Sequence, residues 1–91
     1  MIGSFKHTGL REIYEKGRSR KVAVSLHDRI LRRLDFMKAA KKPDDMNIPG
    51  FNFHRLRGKP VRYSIHINGP WCITFGWEDD TAINLNLEQY H

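Results

Sequence analysis

The last third of the chain alternates apolar and polar residues with a period of two, which is the pattern of strands with one buried face. Three such stretches occupy residues 61–67, 71–77 and 83–87. Only short polar segments separate them, so the pattern predicts a three-stranded antiparallel meander.

The register of this meander depends on the length of its loops, because a one-residue slip moves every side chain of a strand to the other face. A two-residue turn at residues 68–69 would place Trp71 on the polar face. A three-residue loop at 68–70 pairs Ile67 with Trp71 and keeps the apolar residues together. We therefore predict a loop at 68–70 and, by the same reasoning, one at 78–80.

The polar side of the predicted sheet carries small residues, and small residues on a twisted sheet leave a concavity. These residues are Ser64, Cys72, Thr74, Gly76 and Ala82. Longer polar side chains share their alternation, namely those of Arg62, His66, Glu88 and Tyr90. The pattern predicts a shallow polar trough. Gln89 and His91 alternate away from it unless the strand ends before the terminus, which we expect.

The first forty residues predict two helices preceded by a short strand at residues 2–5. Thr8 is placed to cap the first helix and Gly17 to end it. Residues 18–23 then form a basic connector. Ser25 is placed to cap the second helix, which we expect to end near Ala40.

Both predicted helices have an apolar stripe that needs a surface to cover. In the second, Ile30 and Leu34 belong to this stripe, while arginines and a lysine at positions 29, 32, 33 and 38 fall mainly on the other side. Residues Ile73 and Phe75, in the middle of a strand, are the expected contacts of that stripe. The prediction is an α+β fold with two N-terminal helices on a twisted, mainly antiparallel sheet, in a single domain of residues 1–91.

Composition favours a folded protein without a membrane segment. Hydrophobic residues make up 40% of the chain and ten residues are aromatic. No apolar run approaches the length of a membrane span, and the opening residues lack the pattern of a signal peptide. The single cysteine excludes an internal disulfide. We expect a cytoplasmic protein.

Charge is distributed unevenly along the chain. All 16 lysines and arginines lie in residues 1–62 with six acidic residues, a net charge of +10. Residues 63–91 contain four acidic residues and no lysine or arginine, a net charge of −4. With a pI near 9.8, this asymmetry favours nucleic acid as the partner over a merely solvated basic surface.

Candidate catalytic groups occur in two places. His54 has Arg55, Arg57 and Lys59 as near neighbours in the sequence, and the last two residues are Tyr90 and His91. Two histidines, a tyrosine and several cations suffice to cleave an RNA phosphodiester without a metal. Taken singly, each of these residues is more often structural or solvated. No metal-binding motif is present, and we expect neither a metal nor a cofactor.

Several short motifs occur in a characteristic order along nearly the whole chain. They are the opening residues 2–10, the Glu-Lys-Gly at 15–17, and the stretch 49–58 with its His-Arg-Leu-Arg-Gly, followed by Tyr-Ser-Ile at 63–65, Trp-Cys-Ile-Thr-Phe at 71–75 and the closing Tyr-His. In this order they resemble the HigB toxins of the RelE superfamily. The opening and the closing residues are the most specific parts of the resemblance.

The resemblance implies a small RelE-like toxin that enters the decoding site of the small ribosomal subunit and cuts mRNA there. It also implies a HigA-like helix-turn-helix antitoxin as partner. On it, His54 matches the family's active-site histidine, Tyr90 and His91 match its closing pair, and Arg57 matches a basic position.

Two positions depart from the family's pattern. Gln89 stands where the family usually has aspartate, and Cys72 stands where it usually has arginine. Both changes remove a charge, so we expect a weakened or differently tuned nuclease in which Arg62 or Arg57 replaces the missing arginine. Two other classes stay open: a non-catalytic RNA- or ribosome-binding module, and an interaction subunit whose basic face meets an acidic partner.

The roles and the surface can be stated as hypotheses. His91 is the candidate general acid, His54 the base or a phosphate ligand, and Tyr90 an orienting or proton-relay group, all converging at one end of the trough. We expect a cationic rim around it that includes part of the basic face of the second helix. The other members of this rim are Arg55, Arg57, Lys59 and Arg62.

Overall fold

The computed structural model describes residues 1–89 and places two helices on one face of a four-stranded antiparallel sheet. The helices are α1 (Thr8–Lys16) and α2 (His27–Ala39). The strands are β1 (His54–Arg55), β2 (Tyr63–Asn68), β3 (Trp71–Glu78) and β4 (Thr81–Gln89), and they neighbour each other in chain order. The predicted α+β class is confirmed.

Helix α1 is capped by His7 and not by Thr8, so the predicted cap is wrong by one residue. The Nδ1 atom of His7 accepts hydrogen bonds from the backbone N–H groups of Gly9 and Leu10, at 3.0 and 3.3 Å. An imidazole nitrogen thus performs the role usually taken by a hydroxyl or carboxylate. At the other end Gly17 has φ 83, as predicted for a glycine that ends a helix.

Helix α2 begins without a side-chain cap. The predicted cap, Ser25, lies inside a 3-10 turn (Val24–Leu26) that leads directly into the helix. The residue at the cap position makes no side-chain hydrogen bond to the backbone N–H groups of the first turn of α2. That prediction is wrong because the chain is already helical before α2 starts. The end of the helix at Ala39 agrees with the expected end near Ala40.

Arg33 was expected on the solvent side of α2 and is instead buried, with 7% of its surface exposed. Its Nε donates a hydrogen bond to the carbonyl of His66 at 2.7 Å, and its Nη1 donates to the carbonyl of Arg29 at 3.2 Å. The guanidinium also lies 4.4 Å from the centre of the Phe51 ring. Arg33 therefore anchors α2 to the edge of β2.

Strand β1 has only two residues, too few for any periodicity to reveal it. It pairs His54 with Ser64 and Arg55 with Tyr63 on β2. The backbone N–H of Leu56 extends the pairing by donating to the carbonyl of Arg62 at 2.8 Å. The predicted three-stranded meander is present, and β1 adds a fourth strand at its edge.

From Tyr63 to His66 the register between β2 and β3 is as predicted, with Ile65 opposite Ile73, but the predicted pair of Ile67 with Trp71 is not formed. The connection is one residue shorter than expected, because Asn68 pairs with Trp71 and a bulge at Ile67 takes up the extra residue. The apolar residues of the two strands thus share a face, although the predicted loop length is wrong.

The register between β3 and β4 differs from the prediction. Glu78 pairs with Thr81, which leaves a two-residue turn in place of the predicted loop at 78–80. A bulge in the middle of β4 corrects the alternation, and Asn84 at this bulge has φ 54. Asparagine adopts this left-handed backbone conformation more readily than most other residues.

The bulge exchanges two side chains between the faces of the sheet. Ala82, predicted to lie in the polar trough, is fully buried in the hydrophobic core. Ile83 takes the other side, where its side chain lies 3.2 Å from the position that a Cβ on Gly76 would occupy.

The helices and the sheet share one hydrophobic core on the face of the sheet that carries Ile73 and Phe75. The predicted helix contacts Ile30 and Leu34 belong to the same buried cluster. Residues 2–5, predicted as a short strand, form two parallel bridges to β4, Ile2 with Ala82 and Phe5 with Leu85. Within the described part of the chain, no helix is long and apolar enough to cross a membrane.

Candidate active site

The face of the sheet turned away from the helices carries three of the predicted site residues, His54, Arg62 and Cys72, and we call it the polar face. Directly opposed residues of a ladder project to the same side. His54 opposes Ser64, Ser64 opposes Thr74, and Thr74 opposes Asn86, so these four form one row across all four strands. The neighbouring row is His66, Cys72 and Glu88.

The small residues of the polar face do not line an open trough. Ser64 is 1% exposed, Thr74 3% and Cys72 4%. The expectation of a shallow open groove is therefore wrong at its floor. The reason is that small side chains leave space, and the long side chains of Arg62 and Glu88 reach over Thr74 into it.

Arg62, Thr74 and Glu88 form a hydrogen-bonded cluster that joins the residue before β2 to β3 and β4. The Nη1 atom of Arg62 lies 3.0 Å from Oε2 of Glu88, to which it donates, and 3.4 Å from Oγ1 of Thr74. The hydroxyl of Thr74 donates to the same Oε2. The Thr74 hydrogen bond and the Arg62 guanidinium hold the pKa of Glu88 below its ordinary value, so this carboxylate is ionised at neutral pH.

His54 is held by the loop that precedes it. Its Nδ1 lies 2.9 Å from the carbonyl oxygen of Asn52, and Asn52 turns the chain with φ 46. A carbonyl oxygen can only accept, so Nδ1 carries the hydrogen in this contact. This contact fixes the orientation of the imidazole ring at the start of β1.

The predicted cationic rim is only partly at the polar face. Arg62 lies on it, and Arg57 and Lys59 are exposed in the segment between β1 and β2. Arg55, in contrast, opposes Tyr63, which is on the other side of the strand from His54. The basic residues of α2 cannot contribute to the rim, because α2 packs on the opposite face of the sheet.

The two residues that depart from the family's pattern lie in different surroundings. Cys72 is buried on the polar face, where its Sγ lies 3.5 Å from the carbonyl oxygen of Glu88. Burial raises the pKa of the Cys72 thiol, so the group stays neutral. Gln89 is exposed at the end of β4, opposite Trp71, and so it points away from the polar face as predicted.

Tyr90 and His91 lie outside the described residues. Their convergence with His54 is therefore still a prediction. Among residues 1–89 there is no group of three or more histidine, cysteine, aspartate or glutamate side chains that could hold a metal ion.

Sequence reasoning placed Glu88 on this face but did not select it as a site residue. Alternation along β4 shows the side to which Glu88 points, yet only the register across β2, β3 and β4 brings it to Arg62. Lys6 was missed altogether. The backbone N–H groups of residues 6 and 7 donate to a carbonyl of β4 and so hold this segment beside the strand. From there the positive charge of Lys6 lowers the pKa of Glu88 further.

Comparisons with known proteins agree with this architecture. Residues 3–91 match the family model described as "RelE-like toxin of type II toxin-antitoxin system HigB". The chain is 38% identical over 92 residues to the Endoribonuclease HigB of Proteus vulgaris, with 100% of each chain covered. It is 32% identical over 93 residues to Toxin HigB-1 of Vibrio cholerae serotype O1, with 99% of this chain and 98% of that protein covered.

Proposed function

Because this chain belongs to the HigB family of RelE-like toxins of type II toxin-antitoxin systems, we propose that it is a metal-independent endoribonuclease that cuts mRNA on the ribosome. The Proteus vulgaris relative is itself an endoribonuclease by name. The finer features, dependence on the ribosome and independence of metal, are our proposal.

The observation that carries the proposal is the position of His54 and Arg62 on the one face of the sheet that the helices leave uncovered. Cleavage of RNA through its 2′-hydroxyl needs a group to remove the hydroxyl proton, a group to protonate the leaving 5′-oxygen, and cations near the pentacoordinate phosphorus. Arg62 supplies a cation, and His54 supplies an imidazole, the side chain that most often serves in general acid–base catalysis.

We assign the remaining roles as hypotheses. His91 is the proposed general acid, and Tyr90 is the proposed orienting or proton-relay group. Arg57 and Lys59, both exposed beside β1, are proposed to hold the RNA backbone through its phosphates. Arg55 is a proposed contact only to RNA that passes around the edge of the sheet, since it lies on the side of Tyr63.

The proposed partners follow from the family. Toxins of this kind are paired with an antitoxin, and we propose a HigA-like helix-turn-helix protein in that role. The small ribosomal subunit with its bound mRNA is the proposed target, and the cytoplasm is then the place of action.

The test is mRNA cleavage on purified ribosomes by the wild type, His54→Gln and His91→Gln. Positioned acid–base groups contribute about 10²–10⁴-fold, so each variant should lose at least about 100-fold in rate. His27→Gln is a matched control, because His27 lies in the helix layer at the start of α2. EDTA, added with Mg²⁺ in sufficient excess to preserve the ribosomes, removes transition metals and should not reduce the rate.

Three results would contradict parts of this proposal. Binding of the wild type to ribosomes without cleavage would indicate a non-catalytic binding module. Full rates for both histidine variants would remove the assigned roles. Cleavage of free RNA at the same rate as on ribosomes would remove the dependence on the ribosome.

A further inference from the structure

The Arg62–Glu88 ion pair lies on the polar face, where Arg62 also contacts Thr74 in the row that contains His54. The Arg62 and Glu88 side chains are 42% and 36% exposed. Ion pairs with this degree of exposure contribute about 0–1 kcal/mol to stability. The ion pair therefore contributes little to the stability of the fold. At this position the Glu88 carboxylate also opposes the binding of a negatively charged substrate.

Glu88 is itself unsuited to proton transfer. Its Oε2 atom accepts hydrogen bonds from both Thr74 and Arg62. These contacts lower the pKa of the carboxyl group, which weakens it as a base at neutral pH. A direct chemical role for Glu88 is thus disfavoured by its own surroundings.

What the contacts do achieve is orientation of Arg62. The side chain begins beside β2 and is fixed at its far end by groups on β3 and β4. Both contacts use Nη1, which has two of the five N–H groups of a guanidinium. They leave the N–H groups of Nε and Nη2, the edge with which arginine binds two oxygens of one phosphate.

We propose that Glu88 is a positioning residue, which holds the guanidinium of Arg62 across the polar face so that its Nε–Nη2 edge meets the scissile phosphate. Thr74 supports this arrangement by fixing the shared carboxylate oxygen. The proposal rests on the proposed endoribonuclease function and adds to it a residue that acts through Arg62 alone.

The proposal separates binding from turnover. Removal of Glu88 deletes a negative charge from an RNA-binding face, so affinity for the ribosome–mRNA complex should stay equal or increase severalfold. Turnover should fall, because a misplacement of about 1 Å costs up to about 100-fold in rate. If Glu88 acted only through its negative charge, its removal would instead raise both the affinity for the ribosome–mRNA complex and the cleavage rate.

The experiment is a double-mutant cycle on ribosomes, with single-turnover cleavage rates and binding affinities for wild type, Glu88→Ala, Arg62→Ala and the double variant. We expect Glu88→Ala to cleave roughly 10- to 100-fold more slowly with undiminished affinity. In the Arg62→Ala background, Glu88→Ala should cause no further loss of rate. Independent, multiplying losses in the cycle would overturn the proposal, as would an unchanged rate for Glu88→Ala.

Two further variants keep the result interpretable. Glu88→Gln retains an oxygen that accepts from Thr74 and Arg62, so it should keep more activity than Glu88→Ala and serves if the alanine variant fails to fold. Glu78→Gln makes the same chemical change at an exposed position at the end of β3, and should cleave like the wild type. If the wild type itself does not cleave, the proposed function fails; if it cleaves and Glu88→Ala cleaves equally fast, only this inference fails.

Discussion

The two faces of the sheet are held together by different kinds of interaction. On the apolar face, Ile65, Ile73 and Phe75 are fully buried under the helices, where removal of apolar area from water supplies the stability. On the polar face, Arg62 and Glu88 are joined by directional bonds across strands. Apolar burial tolerates changes of shape that preserve volume, whereas the polar cluster depends on particular atoms in a particular register.

The largest expected effect tests whether the apolar face carries the stability. Phe75→Ala should lower the free energy of unfolding by about 3–5 kcal/mol, because it opens a cavity under the helices. Phe36→Ala is the matched control, since Phe36 on α2 is 51% exposed. It should cost less than about 2 kcal/mol. Urea titration gives both values; equal losses would show that Phe75 has no special place in the core.

A smaller loss of stability is expected from a change at Arg33, a charged residue that is buried between α2 and β2. Arg33→Met removes the donors to the carbonyls of His66 and Arg29 and leaves the His66 oxygen without this partner. We expect a loss of about 1–3 kcal/mol. Arg32→Met, an exposed neighbour on the same helix, should change stability by no more than about 0.5 kcal/mol. If the two variants unfold at the same urea concentration, the anchor between α2 and β2 is unimportant.

The bulge in β4 decides which side chains reach each face, so it can be tested directly. Asn84→Ala forces alanine into φ 54 and should cost about 1 kcal/mol. Asn84→Gly should be nearly neutral, because glycine adopts this backbone without steric cost. Thermal unfolding of the two variants provides the comparison. A glycine variant less stable than the alanine variant would contradict the role of the backbone conformation.

The smallest expected effect concerns pH and the polar face. The pKa of Glu88 is lowered in the folded protein, chiefly by the Thr74 hydrogen bond, from its ordinary value of 4.5. The stability contributed by this carboxylate is therefore fully present above 4.5 and is lost as the pH falls below it through the lower folded value.

The matching measurement compares thermal unfolding of wild type and Glu88→Gln over this range. The wild type should have the higher midpoint at neutral pH, and the difference should shrink as the pH falls toward about 3. The difference should be small, because both side chains of the ion pair are substantially exposed. A difference that grows on acidification would contradict the assigned direction of the pKa shift.

The sequence by itself determined which main helices and strands form and which residues make up most of the apolar face. Periods of two and of about 3.6 residues revealed β2, β3, β4 and both helices, because burial on one side forces that spacing on any chain. The same alternation placed Ser64, Cys72 and Thr74 together on one face. Side-chain chemistry and the resemblance to a family, and not periodicity, singled out His54, Tyr90 and His91.

Only the tertiary structure decided the details that a site requires. The bulges at Ile67 and Asn84 set the final register, and a bulge leaves no clear periodic trace. The burial of Arg33 and the bonding of Glu88 to Arg62 depend on partners 33 and 26 residues away along the chain. The alternation of apolar and polar residues shows which side of its helix or strand a residue faces. The packing of the helices and strands decides which partner the residue contacts on that side.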